Sequence, residues 1–117
     1  MTDIAMVRGD TPSFELDINN KDGSAYDLTG YTVHMTAKRH PDDPGYRALF
    51  SKHSGGTSPT ITVTNAAGGL ARVDMAVADT HGIDVPVELF FDIEVEDGTH
   101  FATPITGKLT IGADATP

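Results

Sequence analysis

Apolar and polar residues alternate with a period of two along most of this chain of 117 residues. Such alternation places successive side chains on opposite faces of a strand, whereas an amphipathic helix repeats about every 3.6 residues. Gly, Asp, Asn and Pro, which favour turns, separate the alternating runs. Seven runs are predicted to be strands: Ser13–Asn19, Tyr31–Arg39, Ala48–Lys52, Thr60–Thr64, Gly69–Val77, Val87–Glu96 and Ile105–Ile111.

The same alternation predicts which side chains face the core. One apolar set occupies every second position of each of the five longest runs, and polar residues occupy most positions between. The residues predicted to face inward are Phe14, Leu16, Ile18, Val33, Met35, Ala37, Ala71, Val73, Met75, Val77, Leu89, Phe91, Ile93, Val95, Ile105, Leu109 and Ile111.

Segments between the runs complete the predicted architecture. Ile4–Val7 is a candidate eighth strand, and Ala78–Gly82 is predicted to form a single helical turn. Asn19–Gly23, Asn65–Gly68 and Asp97-Gly98 favour reversals, and Asp97-Gly98 is the strongest hairpin signal. Seven or eight short strands with no helix of ordinary length predict an all-β fold, an antiparallel β-sandwich. The length favours one domain, residues 1–117.

Charge and composition narrow the classes of function. The net charge of −9 and the scattered basic residues argue against nucleic-acid binding. The chain has no cysteine, so it offers no disulfide and no thiolate ligand or nucleophile. The N-terminal residues lack the pattern of a secretory signal, and no apolar run approaches the roughly 20 residues of a membrane helix. We therefore expect neither a nucleic-acid partner nor a membrane.

The sequence contains no clear pattern of catalytic or cofactor-binding residues. Asp92, Glu94 and Glu96 lie on one strand face with carboxylates about 6–7 Å apart, but such residues usually form the solvated face of a strand. The five histidines show no local metal-binding spacing, and a site assembled from distant strands stays an open alternative. We expect no enzyme activity, no cofactor and no metal.

Several residues are candidates for contact with a partner. Arg8-Gly9-Asp10 matches an integrin-recognised tripeptide, although Gly9 and Asp10 are better explained as turn residues. His40–Asp43 belongs to a proline-rich loop that could carry a cation or form an ordinary solvated turn. Phe90 interrupts a polar face, which favours either a partner surface or burial in a twisted sandwich. The candidate contact residues are Arg8, Asp10, His40, Asp42, Asp43, Tyr46 and Phe90.

The order of the turn motifs resembles a known family. The opening apolar-x-Arg8-Gly9-Asp10-Thr11, followed by Phe14-x-Leu16-x-Ile18, is similar to the N-terminal immunoglobulin-like domain of phage baseplate upper proteins and to related small virion proteins. Further similar elements are Asp27–Gly30 before Tyr31-Thr32-Val33, Leu49–Lys52, Ile61–Gly69 and the closing runs Leu89–Asp97 and Thr103–Ile111. Together they extend from Ile4 to Ile111, although baseplate upper proteins carry further domains after this one.

The resemblance implies an immunoglobulin-like sandwich that serves as a phage structural protein. It implies a place in the virion, after synthesis in the bacterial cytoplasm, as a tail or baseplate adaptor or as a fibre attachment. Other virion proteins and further copies of the chain would be its partners, contacting strand edges, the His40–Tyr46 loop and the N-terminal segment. The alternatives are a capsid decoration protein and, from another class, a carbohydrate-binding module for attachment to the host.

Overall fold

The computed structural model describes residues 2–44, 48–56 and 59–113, which form eight strands and one helical turn. The all-β prediction is confirmed, and the number of strands lies within the predicted range. The elements are β1 (Thr2–Val7), β2 (Ser13–Asp17), β3 (Thr32–Lys38), β4 (Phe50–His53), β5 (Ile61–Asn65), β6 (Leu70–Asp74), α1 (Val77–Thr80), β7 (Val87–Glu96) and β8 (Phe101–Gly112).

The strands form two sheets. A five-stranded sheet has the order β1-β8-β7-β3-β4, and a three-stranded sheet has the order β2-β6-β5. The prediction of a wholly antiparallel fold was wrong for one pair, since β1 runs parallel to β8 from Thr2↔Gly107 to Val7↔Gly112. The turn after β1 carries the chain into the other sheet, so β1 pairs with the last strand rather than with its neighbour in sequence.

One hydrophobic core receives side chains from both sheets. β7 lies between β3 and β8, and its bounds are those predicted from the alternation. Its inward residues Leu89, Phe91, Ile93 and Val95 are at most 3% exposed. The inward faces predicted for β3 and for Leu109 and Ile111 of β8 are also confirmed, because all of these residues are buried.

The bounds of β2 to β5 differ from the predicted ones by one or two residues, and those of β6 and β8 by up to four. β6 ends at Asp74, and Val77 is 50% exposed rather than inward, because it begins the helical turn. β8 begins at Phe101 instead of Ile105, and the register with β7 shifts between Ile93 and Val95. This bulge inserts one extra residue around Pro104, which interrupts the period of two and hides the start of the strand.

Gly69 joins the turn between β5 and β6 to the turn after β2. It has φ +70°, and a Cβ at this position would lie only 2.3 Å from the carbonyl oxygen of Ile18. The Ile18 amide donates to the Gly69 carbonyl at 2.8 Å, and the Leu28 amide donates to the Ala66 carbonyl at 2.8 Å. Glycine is required here because backbone occupies the space that a side chain would fill.

A buried lysine connects edge strand β4 to the helical turn. The Lys52 side chain is 3% exposed and donates to the Asp79 carboxylate, which also accepts the Ala76 amide at 2.7 Å. Thr80, which is fully buried, accepts the Gly9 amide at 2.8 Å through its hydroxyl. The bond from Lys52 to Asp79 ties the helical turn to β4, and the bond from Gly9 to Thr80 ties it to the turn that follows β1.

Replacement of an inward residue of β7 should prevent folding. Ile93→Asp places an unpaired carboxylate in the core, which costs several kcal/mol against a total stability of about 5–15 kcal/mol. Glu94→Ala, on the opposite face, should change the free energy of unfolding by less than about 1 kcal/mol. Denaturant unfolding followed by circular dichroism measures both, and equal tolerance at the two positions would contradict the assigned faces.

Removal of the Lys52 counterion should be strongly destabilising. Asp79→Asn leaves a buried cation without an anion, which we expect to lower the free energy of unfolding by about 3–5 kcal/mol. Lys52→Met removes the charge but keeps much of the volume, so its effect should be clearly smaller. Urea titrations of the two variants test the comparison, and a larger loss for Lys52→Met would be the contrary result.

Candidate partner-binding groove

The five-stranded sheet presents a mixed polar and aromatic face on the side away from the core. Cross-strand partners share a face, so the strand registers assign its members row by row. One row contains Lys38, Phe90 and Lys108, and the next contains Thr36, Asp92 and Thr106. Further rows pair His34 with Glu94 and place Thr32 and Phe101 on either side of Glu96. We call the surface formed by these four rows the outer face.

A groove lies at the Phe90 end of the outer face. It encloses about 280 Å³, and most of its lining is apolar. The lining residues are Lys38, Pro41, Phe90, Phe91, Asp92, Thr106 and Gly107. Phe90, Asp92 and Thr106 belong to the outer face, whereas Phe91, which is 3% exposed, and its cross-strand partner Gly107 belong to the core side of the sheet. The arrangement suits an apolar group of a partner rather than a charged substrate.

Lys38 holds the loop that forms one wall of the groove. Its ammonium group donates to the backbone carbonyl of Asp43 at 3.0 Å and lies 3.9 Å from Asp92 Oδ2. The Asp43 amide in turn donates to the His40 carbonyl at 3.1 Å, which closes the loop on itself. The loop that contains His40–Asp43 is therefore tied to the same sheet face as Phe90.

The structure brings together some of the predicted contact residues and separates others. Phe90 is half-buried and lines the groove, while His40 and Asp42 are exposed and Asp43 is half-buried in the adjoining loop. Tyr46 lies outside the described residues. The integrin-like tripeptide forms a turn elsewhere, where the Arg8 amide donates to Gly112 and the Asp10 amide to Val7.

The turn prediction for this tripeptide is confirmed by its backbone. Gly9 has φ +81°, and its amide donates to the buried Thr80 hydroxyl at 2.8 Å. These bonds give the tripeptide a structural role in joining β1 to β2.

His34 and Glu96 of the outer face take part in local polar contacts. His34 Nε2 donates to Glu96 Oε1 at 3.3 Å, and Glu96 Oε2 accepts the Gly98 amide at 2.7 Å. His34 is also the direct cross-strand partner of His53. Within the described parts of the chain, no group of three or more His, Cys, Asp or Glu residues could hold a metal ion.

A second, more polar depression lies near the bulge of β8. It encloses about 410 Å³ and is lined by Asn19, Asn20, Lys21, Tyr26, Ala102, Thr103 and Pro104. The Tyr26 ring meets the Tyr31 ring edge to face, with centroids 5.5 Å apart. A hydrogen bond with Tyr26, and to a lesser extent burial, raises the pKa of Tyr31. No local motif marks this depression, because a turn and a distant bulge form it together.

The hairpin between β7 and β8 exposes Phe101 at the other end of the outer face. Phe101 is 66% exposed, the most exposed large apolar side chain of the described residues. Asp97 stabilises the connecting residues 97–100, because its carboxylate accepts the His100 amide at 2.6 Å and the Thr99 amide at 2.9 Å. These amides, followed by the His100 side chain, lower the pKa of Asp97 to about 2.

No protein-family model matches the chain, and no curated protein matches its sequence. In the described segments, no helix is long and apolar enough to cross a membrane.

The hairpin should lose stability in acid through Asp97. Its folded pKa lies below the ordinary value of 3.8, so its charge stabilises the fold above about pH 4, and this contribution disappears as the pH falls towards 2. Asp97→Asn should therefore lower the melting temperature at neutral pH, and the difference from the unchanged chain should shrink towards pH 2. Thermal melts across this range measure the difference, and a constant difference would contradict the assignment.

Proposed function

We propose that this chain is a non-enzymatic structural protein of a phage tail or baseplate, where it acts as an adaptor or attaches a fibre. The groove carries this proposal. It is an open, largely apolar site beside an aromatic residue and a loop held by Lys38, the chemistry with which protein surfaces take up a partner's side chain. Repeated copies would strengthen such contacts through avidity.

The order of the strands supports an immunoglobulin-like assignment. In variable-type immunoglobulin domains, strands B, E and D form part of one sheet. Strands G, F and C and the added edge strand C′ form part of the other sheet. Here β2-β6-β5 corresponds to the first set and β8-β7-β3-β4 to the second. An immunoglobulin-like sandwich is thus the fold that we propose.

The packing of the turn motifs supports the resemblance to the baseplate family. Two of its sequence elements, Asp27–Gly30 and Asn65–Gly69, meet through the bond from the Leu28 amide to the Ala66 carbonyl. Leu28 is 2% exposed, and Asp27 Oδ1 accepts the Thr29 amide at 3.0 Å. The motifs therefore hold strand connections together, which gives a physical reason for their shared order.

Particle labelling tests the structural role and the location. Antibodies raised against the purified chain should label particles produced by the phage or prophage that carries its gene, at the tail or baseplate. Labelling over the whole head would favour capsid decoration instead. If purified particles carry no label and contain no peptides of this chain by mass spectrometry, the proposal of a virion protein is wrong.

Attachment to host glycans is a second candidate function, favoured by the polar depression. Asn19, Asn20 and Thr103 offer hydrogen-bonding groups around the half-buried ring of Tyr26. Sugar sites combine polar groups with an aromatic surface of this kind. Glycan-array binding that disappears in Tyr26→Ala but persists in Phe90→Ala would support this function, whereas binding to no glycan would remove it.

A further inference from the structure

We propose that two copies of this chain pack face to face through their outer faces, with Phe101 of each copy inserted in the groove of the other. The proposal deepens the proposed function, because it rests on a role that brings repeated copies together. It assigns the groove a specific occupant, a phenyl ring of an identical chain.

Phe101 has the properties of an inserted side chain. It is 66% exposed, and water around an apolar surface of this size is unfavourable. It is the cross-strand partner of Glu96, so it projects from the same sheet face as Phe90. The bonds to Asp97 hold the backbone of Thr99 and His100, the two residues just before Phe101.

The ring cannot reach the groove of its own chain. Phe90 and Glu96 lie six residues apart along β7, which at about 3.3 Å per residue is roughly 20 Å. Phe101 lies beside Glu96, and Phe90 lines the groove. Occupation of the groove by Phe101 therefore requires a second copy.

The groove is large enough for a phenyl ring. Its volume is about 280 Å³, whereas an apolar cavity of about 150 Å³ in another protein binds benzene. Phe90 and Pro41 supply apolar contacts, and Phe90 belongs to the outer face. A ring inserted there would meet the Phe90 ring, and buried aromatic side chains commonly pack in such pairs.

The positions of ring and groove allow both insertions at once. Both lie on one face of the same sheet, at opposite ends of one strand. A twofold axis in the plane of the interface, across the strands at their midpoint, keeps each ring over β8 and places it at the β8 side of the partner's groove, beside Thr106 and Lys108. The result is a closed dimer in which the same patch is used twice, as in other twofold interfaces.

Charge favours the same alignment. The groove row contains Lys38 and Lys108 on either side of Phe90, while Glu96 and Asp97 accompany Phe101. The Lys108 side chain is 39% exposed, and its ammonium group lies 3.5 Å from the Glu88 carboxylate. Ion pairs this exposed contribute little to stability, so the charge of Lys108 is available to a partner. The twofold axis brings the lysine end of one copy to the carboxylate end of the other.

The two middle rows oppose this attraction. In the proposed alignment, Asp92 of one copy faces the row of Glu94 and His34 of the other. Three strands about 4.8 Å apart over six residues give a footprint of roughly 300 Å² per copy, below the range of stable specific interfaces. We therefore expect a weak, concentration-dependent dimer in solution that is stabilised in a larger assembly.

Sedimentation equilibrium of the full chain tests the dimer. The unchanged chain should pass from monomer to dimer between about 1 μM and 1 mM, and Phe101→Ser should raise the dissociation constant at least about tenfold. Val77→Ser removes a second exposed apolar side chain, on α1 outside the outer face, and should leave the constant unchanged. Thermal melts confirm that both variants fold. A monomer at all concentrations, or equal constants for the two variants, would overturn the proposal.

Cross-linking tests the alignment, since the chain has no cysteine of its own. A short bis-maleimide should join copies of Asp92→Cys to copies of Glu94→Cys, because their rows face each other. Thr62→Cys, on the exposed side of β5, should give no dimer. Cross-linking of Thr62→Cys alone would reject the outer face as the interface.

The two proposals fail separately. A monomeric chain found in phage particles would reject the twofold dimer and retain the virion role. A dimer with the expected dependence on Phe101, from a chain absent from the particles, would reject the virion role and retain the interface.

Discussion

The two-sided pairing of β7 is the constraint on which the rest of the structure depends. β7 is hydrogen-bonded to β3 on one side and to β8 on the other, so its register is set twice. A slip of one residue would turn Ile93 outward and bury Glu94, and every neighbouring position would change face with them. The burial of the core and the composition of the outer face are therefore two results of one register.

The alternation in the sequence was sufficient where a strand is regular and paired on both sides. It predicted β7 with its observed bounds and the inward residues of β3. It could not locate the start of β8, because the bulge near Pro104 changes which face each residue takes. Nor could it reveal the parallel pairing of β1 with β8, since contacts between the two ends of the chain leave no local pattern.

The candidate site was predictable only in part, for a similar reason. Phe90 was recognisable because it is an apolar residue among polar ones, and the loop after β3 was recognisable because it contains Pro41 and Pro44. The groove itself combines residues of β3, β7, β8 and the loop after β3, and only the strand registers and the bond from Lys38 to Asp43 bring these together. The buried position of Lys52 was also hidden, because its partner Asp79 is 27 residues away and belongs to another element.

Protection of the strand edges directs association towards the outer face. An unpaired edge invites another chain to add a strand, and proteins counter this with short strands, charges, prolines and bulges. β4, at one edge, has four residues, and the part of β8 not paired with β1 contains Pro104, which has no amide hydrogen to donate. At the edge of the smaller sheet, β2 exposes Glu15 and Asp17. The outer face has no such protection, since it combines a groove, an exposed phenyl ring and charges of both signs. Copies of this chain that meet in an assembly are therefore expected to join through a sheet face rather than by extending a sheet.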